Sequence, residues 1–330
     1  MTVVNRKVVL IGTGMVGMSY AYALLNQNAC DELVLIDINK ERVIGEAMDL
    51  NHGLAFSSSN MNIYAGEYCD CADADIVAIC AGVAQKPGES RLDLLKRNAA
   101  VFKSIIDPVV KSGFNGIFLV ATNPVDIMTR ITKTLSGFDE GRVVGSGTAL
   151  DTARLRYILG EKFNVDPRNI HAYVIGEHGD SEFIPWSQAM VATKNILDIS
   201  TNDGGFLSSK DMESISYDVR NAAQSIIKAK NATYYGIGMA LVRITKAIFG
   251  NEHSVITVSA CVDAKHNYEG VYIGMPCIIS GEGVKQVLYL NLNQEEKMNF
   301  KKSCNILDTC YKDLEIEKEM LNKKTKEEEK

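Results

Sequence analysis

Residues 7–17 read Lys7-Val8-Val9-Leu10-Ile11-Gly12-Thr13-Gly14-Met15-Val16-Gly17, and residues 32–37 read Glu32-Leu33-Val34-Leu35-Ile36-Asp37. Both runs open on apolar β-formers, and residues 15–27 between them have the texture of a helix. The chain therefore reads strand, helix, strand within about thirty residues, a βαβ unit. Gly12, Gly14 and Gly17 fall at the strand-to-helix turn in the spacing G-x-G-x-x-G, with Met15 and Val16 opening the helix. Without side chains there, a pyrophosphate can approach backbone amides at the positive end of the helix. Asp37 lies twenty residues past Gly17, at the end of the second strand, where it can accept hydrogen bonds from an adenosine ribose. A carboxylate at that place repels a 2′-phosphate, which favours NAD over NADP. The plainer alternative is a tight turn leading into a helix, with no ligand.

The alternation continues outward, with a helix over 40–56, strands at 61–64 and 76–80, a helix over 91–111 and a strand at 117–120. Continuous apolar strands separated by helices belong in a parallel sheet covered on both faces. Residues 1–145 are thus expected to form a Rossmann-type, doubly wound α/β domain. From about 145 the texture changes to a helix over 148–163, a strand at 170–175, a Gly/Ser-rich loop at 202–209 and a helical region to 248. Two closely spaced strands at 255–260 and 270–279 suggest an antiparallel element. Residues 146–316 are expected to form a separate C-terminal α+β substrate domain. The tail, 317–330, carries ten charges in fourteen positions and reads as a solvated helix end.

Arg6 and Lys7 ahead of an uncharged stretch over 8–25 imitate an export signal. The glycines inside it, Tyr20, Tyr22 and the lack of a small-residue cleavage pattern before Asp31 favour the strand-turn-helix reading. At 330 residues, 46% hydrophobic and 23% charged, the chain is large enough for two cored domains and fits a soluble globular protein. Thirty-five basic against forty-one acidic residues give a net charge of −6, which argues against nucleic acid as a partner. A small anionic substrate is compatible only if local arginines receive it. Cysteines at 30, 69, 71, 80, 261, 277, 304 and 310 show no zinc spacing. They read as reduced thiols, so no metal site is expected and the expected compartment is the cytoplasm.

Three further segments carry chemistry. Gly176-Glu177-His178-Gly179-Asp180 sets a histidine between glycines after an apolar strand, which favours a displayed, catalytic imidazole over a structural one. In Gly147-Thr148-Ala149-Leu150-Asp151-Thr152-Ala153-Arg154-Leu155-Arg156, Asp151 and Arg154 share a helix face, and a surface i,i+3 ion pair would explain them equally well. Arg156 is turned about 200° from Arg154 and serves another partner. The loop over 82–91, Gly82-Val83-Ala84-Gln85-Lys86-Pro87-Gly88-Glu89-Ser90-Arg91, reads as either a mobile lid or a plain connection to a helix. Asn123-Pro124 marks a turn, and His52, His253 and His266 read as structural.

Together these motifs, with Ala121-Thr122-Asn123-Pro124-Val125-Asp126 and Ala232-Thr233-Tyr234-Tyr235-Gly236-Ile237, resemble the L-lactate/L-malate dehydrogenase family on its bacterial L-lactate side. The resemblance runs from about residue 7 to about residue 311 and leaves out the tail. It implies NAD-dependent interconversion of pyruvate and L-lactate, the last step of fermentative glycolysis. It implies that His178 and Asp151 form a proton relay, that Arg154 holds the substrate carboxylate and that Arg91 polarises the ketone. Gln85, Asn123 and Thr233 would line the substrate, with the Asn123-Pro124 bond cis. Arg42, Thr122 and Asn123 would join the glycines and Asp37 around NAD. Arg156 and His171 would form a site for fructose 1,6-bisphosphate between subunits of a homotetramer. Two alternatives stay open: malate dehydrogenase on the same frame, where an arginine rather than Gln85 is expected, and a non-catalytic NAD-binding protein, which would need neither His178 nor Arg154.

Overall fold

The computed structural model describes residues 5–83, 88, 90–263, 268 and 270–316, the side chain of Arg91 excepted. Gln85 and its neighbours in the 82–91 loop, His266 and the tail lie outside the described residues. The first half runs β1 (Lys7–Ile11), α1 (Met15–Asn26), β2 (Glu32–Ile36), α2 (Lys40–Gly53), β3 (Asn62–Ala65), β4 (Ile76–Ile79), α3 (Arg91–Lys111), β5 (Ile117–Val120), α4 (Val125–Ser136) and β6 (Val143–Gly145). Its six strands stand in the order β6-β5-β4-β1-β2-β3, and all of these pairings are parallel. The order reverses direction at β1, which is the doubly wound arrangement. Val8 lies between Leu33 and Ile76, and every residue of β1, β4 and β5 is buried, as apolar runs of this kind require.

The second half runs α5 (Ala149–Phe163), β7 (Ile170–His171), β8 (Met190–Val191), β9 (Lys194–Asn195), α6 (Ser209–Lys230), α7 (Tyr235–Phe249), β10 (Ser254–Cys261), β11 (Tyr272–Ser280), β12 (Gly283–Val287) and α8 (Gln294–Lys312). The antiparallel pair expected near its end is β10 with β11, paired from Ser254↔Ile279 to Cys261↔Tyr272. This hairpin does not form a separate layer. β10 lies against β6 through Ser259↔Gly145 and extends the parallel sheet to nine strands. The three-residue β6 would otherwise leave an open edge, and an unpaired edge of backbone groups must be covered. One apolar core accordingly runs through both halves, including Val9, Leu35, Phe118, Met128, Ile273 and Leu307. A smaller cluster, with Leu155, Leu159, Ile170, Val174, Ile184 and Val219, sits beside the separate β7-β8-β9 sheet.

The strand expected at 170–175 shortens to β7. Past His171 the backbone of Val174 bonds to the hydroxyls of Thr148, just before α5, and Thr152 within it instead of a neighbouring strand, and Ile175 pairs with Phe183. The long helical region breaks at Asn231, whose φ of +69° caps α6 in the left-handed conformation that asparagine tolerates.

Candidate active site

The candidate residues gather where the parallel strands end, the edge at which doubly wound sheets bind ligands. The glycine loop follows β1. Gly12 has φ +102°, and a side chain there would run into the backbone of Cys80 and Ala81. A side chain on Gly17 would fall on the carbonyl of Gly12, so only glycine lets α1 start this close to the strand. Gly14 faces open space, and the first turn of α1 has neither a capping side chain nor an acidic residue. Its free N–H groups fit a pyrophosphate. Met15, the first residue of that helix, is exposed.

Asp37 follows β2. Its Oδ2 accepts from the Thr13 amide at 2.8 Å, and its Oδ1 accepts from the Asn39 amide at 3.1 Å. Burial pushes this carboxyl up, but the Asn39 and Thr13 bonds outweigh it and hold it below the usual carboxylate range. It is therefore an anion with its remaining acceptor capacity toward solvent, as a ribose partner must be. Arg42 adds a positive field on Asp37 and bonds to Glu46 at 3.2 Å. Thr122, after β5, gives its hydroxyl to the Ala81 carbonyl at 2.7 Å and ties the ends of β4 and β5 together. The next residue, Asn123, is exposed and its bond to Pro124 is cis.

His178 reaches the same edge through backbone register. Gly145 at the end of β6 pairs with Ser259, Ser259 with Gly274, and Gly274 with Gly176, so the turn carrying His178 is level with the end of the parallel strands. Two threonines fix α5 against this segment. Thr148 donates to the Val174 carbonyl at 2.6 Å, and Thr152 accepts from the Val174 amide at 3.0 Å. Asp151 lies between them in sequence and faces the imidazole. His178 Nδ1 stands 2.7 Å from Asp151 Oδ2, and Arg154 Nη1 donates to Asp151 Oδ1 at 2.7 Å. Thus the i,i+3 pair seen in the sequence is real, yet it is no surface pair: side-chain exposure is 13% for Arg154 and 2% for Asp151.

A carboxylate can only accept, so Nδ1 carries a proton and Nε2 is the ring nitrogen left to exchange one. Burial lowers the basicity of His178, but the Asp151 carboxylate beside it dominates and pushes the imidazole up to about 9. Burial raises Asp151, and His178 with Arg154 pull it below the usual carboxylate range. The pair is therefore imidazolium–carboxylate at neutral pH.

The other residues singled out from the sequence lie as follows. Thr233 is half-buried in the connection between α6 and α7. Gln85 and the Arg91 side chain are outside the described residues. Arg156 points away from the relay, with Nε 3.1 Å from the Ala172 carbonyl, one residue past the exposed His171. It also lines a cavity of about 460 Å³ with Arg168 and Arg243.

Two buried acids escaped the sequence reading. Asp126, on the first turn of α4, accepts from the His178 amide at 2.8 Å and so orients the loop. Burial raises its carboxyl to about 6, against the pull of Ser259 and the His178 amide. Glu182, 4% exposed, brings a carboxyl oxygen within 4.8 Å of an Asp151 oxygen and a His178 ring nitrogen. Asp126 lay inside a quoted motif, whereas Glu182, one residue past Gly176 to Ser181, gave no local signal.

Residues 6–145 match the NAD binding domain of lactate/malate dehydrogenase, and residues 148–318 match the alpha/beta C-terminal domain of the same family. An L-lactate dehydrogenase of Geobacillus sp. (strain WCH70) is 54% identical over 302 residues, covering 92% of this chain and 94% of its own. One from Macrococcus caseolyticus (strain JCSC5402) is 52% identical over 303 residues, covering 92% and 96%. Among solved structures, a lactate dehydrogenase from a Medee basin deep-sea metagenome library superimposes with a TM-score of 0.91 at 51% identity, covering 94% of this chain and 99% of its own. The ligand-bound minor L-lactate dehydrogenase of Enterococcus mundtii gives a TM-score of 0.90 at 46% identity, covering 93% and 98%. Both family domains are matched along nearly the whole described chain, and the glycine loop, Asp37 and the His178–Asp151 pair stand where that fold puts them, so the protein belongs to the lactate/malate dehydrogenase family.

Proposed function

We propose that this chain interconverts pyruvate and L-lactate with NAD, and that His178, Asp151, Arg154 and Arg91 carry the reaction. The observation behind the assignment is the buried Asp151 carboxylate, paired at 2.7 Å with both His178 and Arg154. NAD bound along the glycine loop and Asp37 supplies the hydride donor or acceptor. In the reductive direction His178 gives its Nε2 proton to the ketone oxygen, and Asp151 holds the imidazolium in place until that transfer. Arg154 orients the substrate by two parallel hydrogen bonds to its carboxylate, and Arg91 polarises the carbonyl as charge develops on oxygen. Asn123 and Thr233 complete the substrate wall, and Arg42, Thr122 and Asn123 complete the cofactor site. The substrate half begins at 146, after β6. The compartment proposed is the cytoplasm.

Family resemblance assigns Gln85 to the substrate side chain, and on that basis we infer that it decides the substrate. With Arg154 matched to one carboxylate, a second carboxylate would stay unpaired beside a neutral glutamine once water is excluded. Pyruvate should therefore be reduced at least tenfold more efficiently than oxaloacetate, and Gln85→Arg should shift the preference toward oxaloacetate. Comparing NADH oxidation with the two acids tests this, and equal or better use of oxaloacetate by the wild-type protein would assign the malate reaction instead.

The assembly proposed is a homotetramer activated by fructose 1,6-bisphosphate. Exposed Met15 and Tyr22 on α1 and Tyr235 and Met239 on α7 offer an apolar face for a second subunit. Arg156 bonds to the Ala172 carbonyl beside the exposed His171, and Arg168 and Arg243 share the cavity of Arg156. Opposing cations of this kind repel until a polyanion sits between them, so the bisphosphate favours the tighter assembly. Millimolar fructose 1,6-bisphosphate should lower the half-saturating pyruvate concentration severalfold at neutral pH, and Arg156→Gln should remove the response. Superimposable saturation curves would remove the effector, and a response that survives in Arg156→Gln would remove the site.

A further inference from the structure

Glu182 has no role in the relay described above, yet it is placed against it. Its carboxyl is buried between α5 and α6, and one oxygen each of Glu182 and Asp151 and one ring nitrogen of His178 lie within 4.8 Å of one another. Two carboxyls this close, away from water, cannot both ionise cheaply. Asp151 has a cation on each oxygen, His178 on one and Arg154 on the other. The Glu182 carboxyl is less well matched: among the described residues its Oε1 makes no hydrogen bond. Arg220 on α6 approaches, but the bond it donates goes to the backbone carbonyl of Glu182, at 3.1 Å. The charged groups facing this carboxyl are thus Asp151 and Arg154 from α5, His178 from its own loop and Arg220 from α6. Asp126 of α4 stands behind His178.

We propose that Glu182 is an uncharged carboxylic acid while the substrate binds, and that losing its proton is a second alkaline switch on anion binding, separate from deprotonation of His178. Burial is the largest influence on this carboxyl and the Asp151 charge the next, and together they push it up to about 8 against His178, Arg220 and Arg154. Ionised, Glu182 would add a negative charge to the field in which Arg154 and His178 must hold a carboxylate. It touches neither substrate nor cofactor in this scheme and acts as a positioning residue through their electrostatics. The inference rests on the assignment of His178 and Arg154 to the substrate.

The test is the pH dependence of the KM for pyruvate in the wild type and in Glu182→Gln, whose amide replaces an acid already uncharged. Near pH 6.5 the two values should agree within about twofold. Above pH 8 the wild-type KM should climb more steeply, because two groups lose protons rather than one, and near pH 9 it should exceed the variant's by about threefold or more. Superimposable profiles would overturn the proposal. A variant whose KM is raised equally at every pH would assign Glu182 a purely structural role and overturn it as well. A second measurement needs only the wild type: proton uptake when oxamate, an isostere of pyruvate, binds to the enzyme–NADH complex near pH 9.5. His178 accounts for at most one proton per subunit, so uptake above one is expected, and uptake that never exceeds one rejects the switch. Loss of the Glu182 effect in an enzyme that still reduces pyruvate leaves the function standing, whereas full turnover in His178→Asn removes the relay itself.

Discussion

Replacing His178 by asparagine should lower turnover of pyruvate by about a thousandfold while leaving the dissociation constant for NADH within about threefold of the wild type. Asparagine keeps a polar side chain but has no proton to give at neutral pH. The backbone amide that bonds to Asp126 is unchanged by the substitution, so the loop keeps its anchor. The residues assigned to the dinucleotide follow β1, β2 and β5, whereas the His178 ring is paired with Asp151. Fluorescence titration of NADH and steady-state rates separate the two effects, and near-normal turnover would remove His178 from the chemistry. The pH profile of the wild type should agree in sign. Because His178 is raised to about 9, the imidazolium needed for reduction is present at neutral pH and lost as pH rises through that range. Lactate oxidation needs the neutral ring and should gain over the same interval.

Replacing Arg154 by glutamine should reduce kcat/KM for pyruvate by about a thousandfold. Charge-assisted hydrogen bonds in a site closed to water contribute about 1.5–3 kcal/mol each, and two parallel bonds to the substrate carboxylate are lost. The loss should fall mainly on KM, since His178 and Asp151 remain paired and proton transfer is intact once the ketone is in place. Titration of the NADH complex with oxamate provides the independent check: binding should weaken to a comparable extent. A variant that binds oxamate as tightly as the wild type would show that the carboxylate is held elsewhere.

The glycine loop and Asp37 were legible because their signals are local. A strand, a glycine turn and a helix lie within a few dozen residues, and each carries its own propensity. α4 was not legible. Its sequence Val-Asp-Ile-Met-Thr-Arg-Ile-Thr is rich in β-branched residues that disfavour a helix, and the threonines at 129 and 132 bond back to the carbonyls of Val125 and Met128. Burial of one face against the sheet overrides that local preference. The pairing of His178 with Asp151 crosses 27 positions and was available only through family resemblance. Glu182 was hidden for a different reason. A glutamate one residue past a serine in a loop looks like any surface acid, and only the packing of α5 and α6 around it makes it unusual.

The row that runs from Gly145 through Ser259 and Gly274 to Gly176 has a mechanical consequence. Hydride transfer tolerates misalignment of only fractions of an ångström, and many enzymes with two lobes must close a hinge to achieve it. Here the segment that carries His178, the proposed proton donor, is stitched by backbone bonds into the same sheet that presents the glycine loop. The glycine loop and His178 thus share one frame. The same stitching carries the sheet across the chain boundary after residue 145. A cut there would open the edge of β6 and bare the apolar core that it shares with β10 and β11, so each half leans on the other for cover.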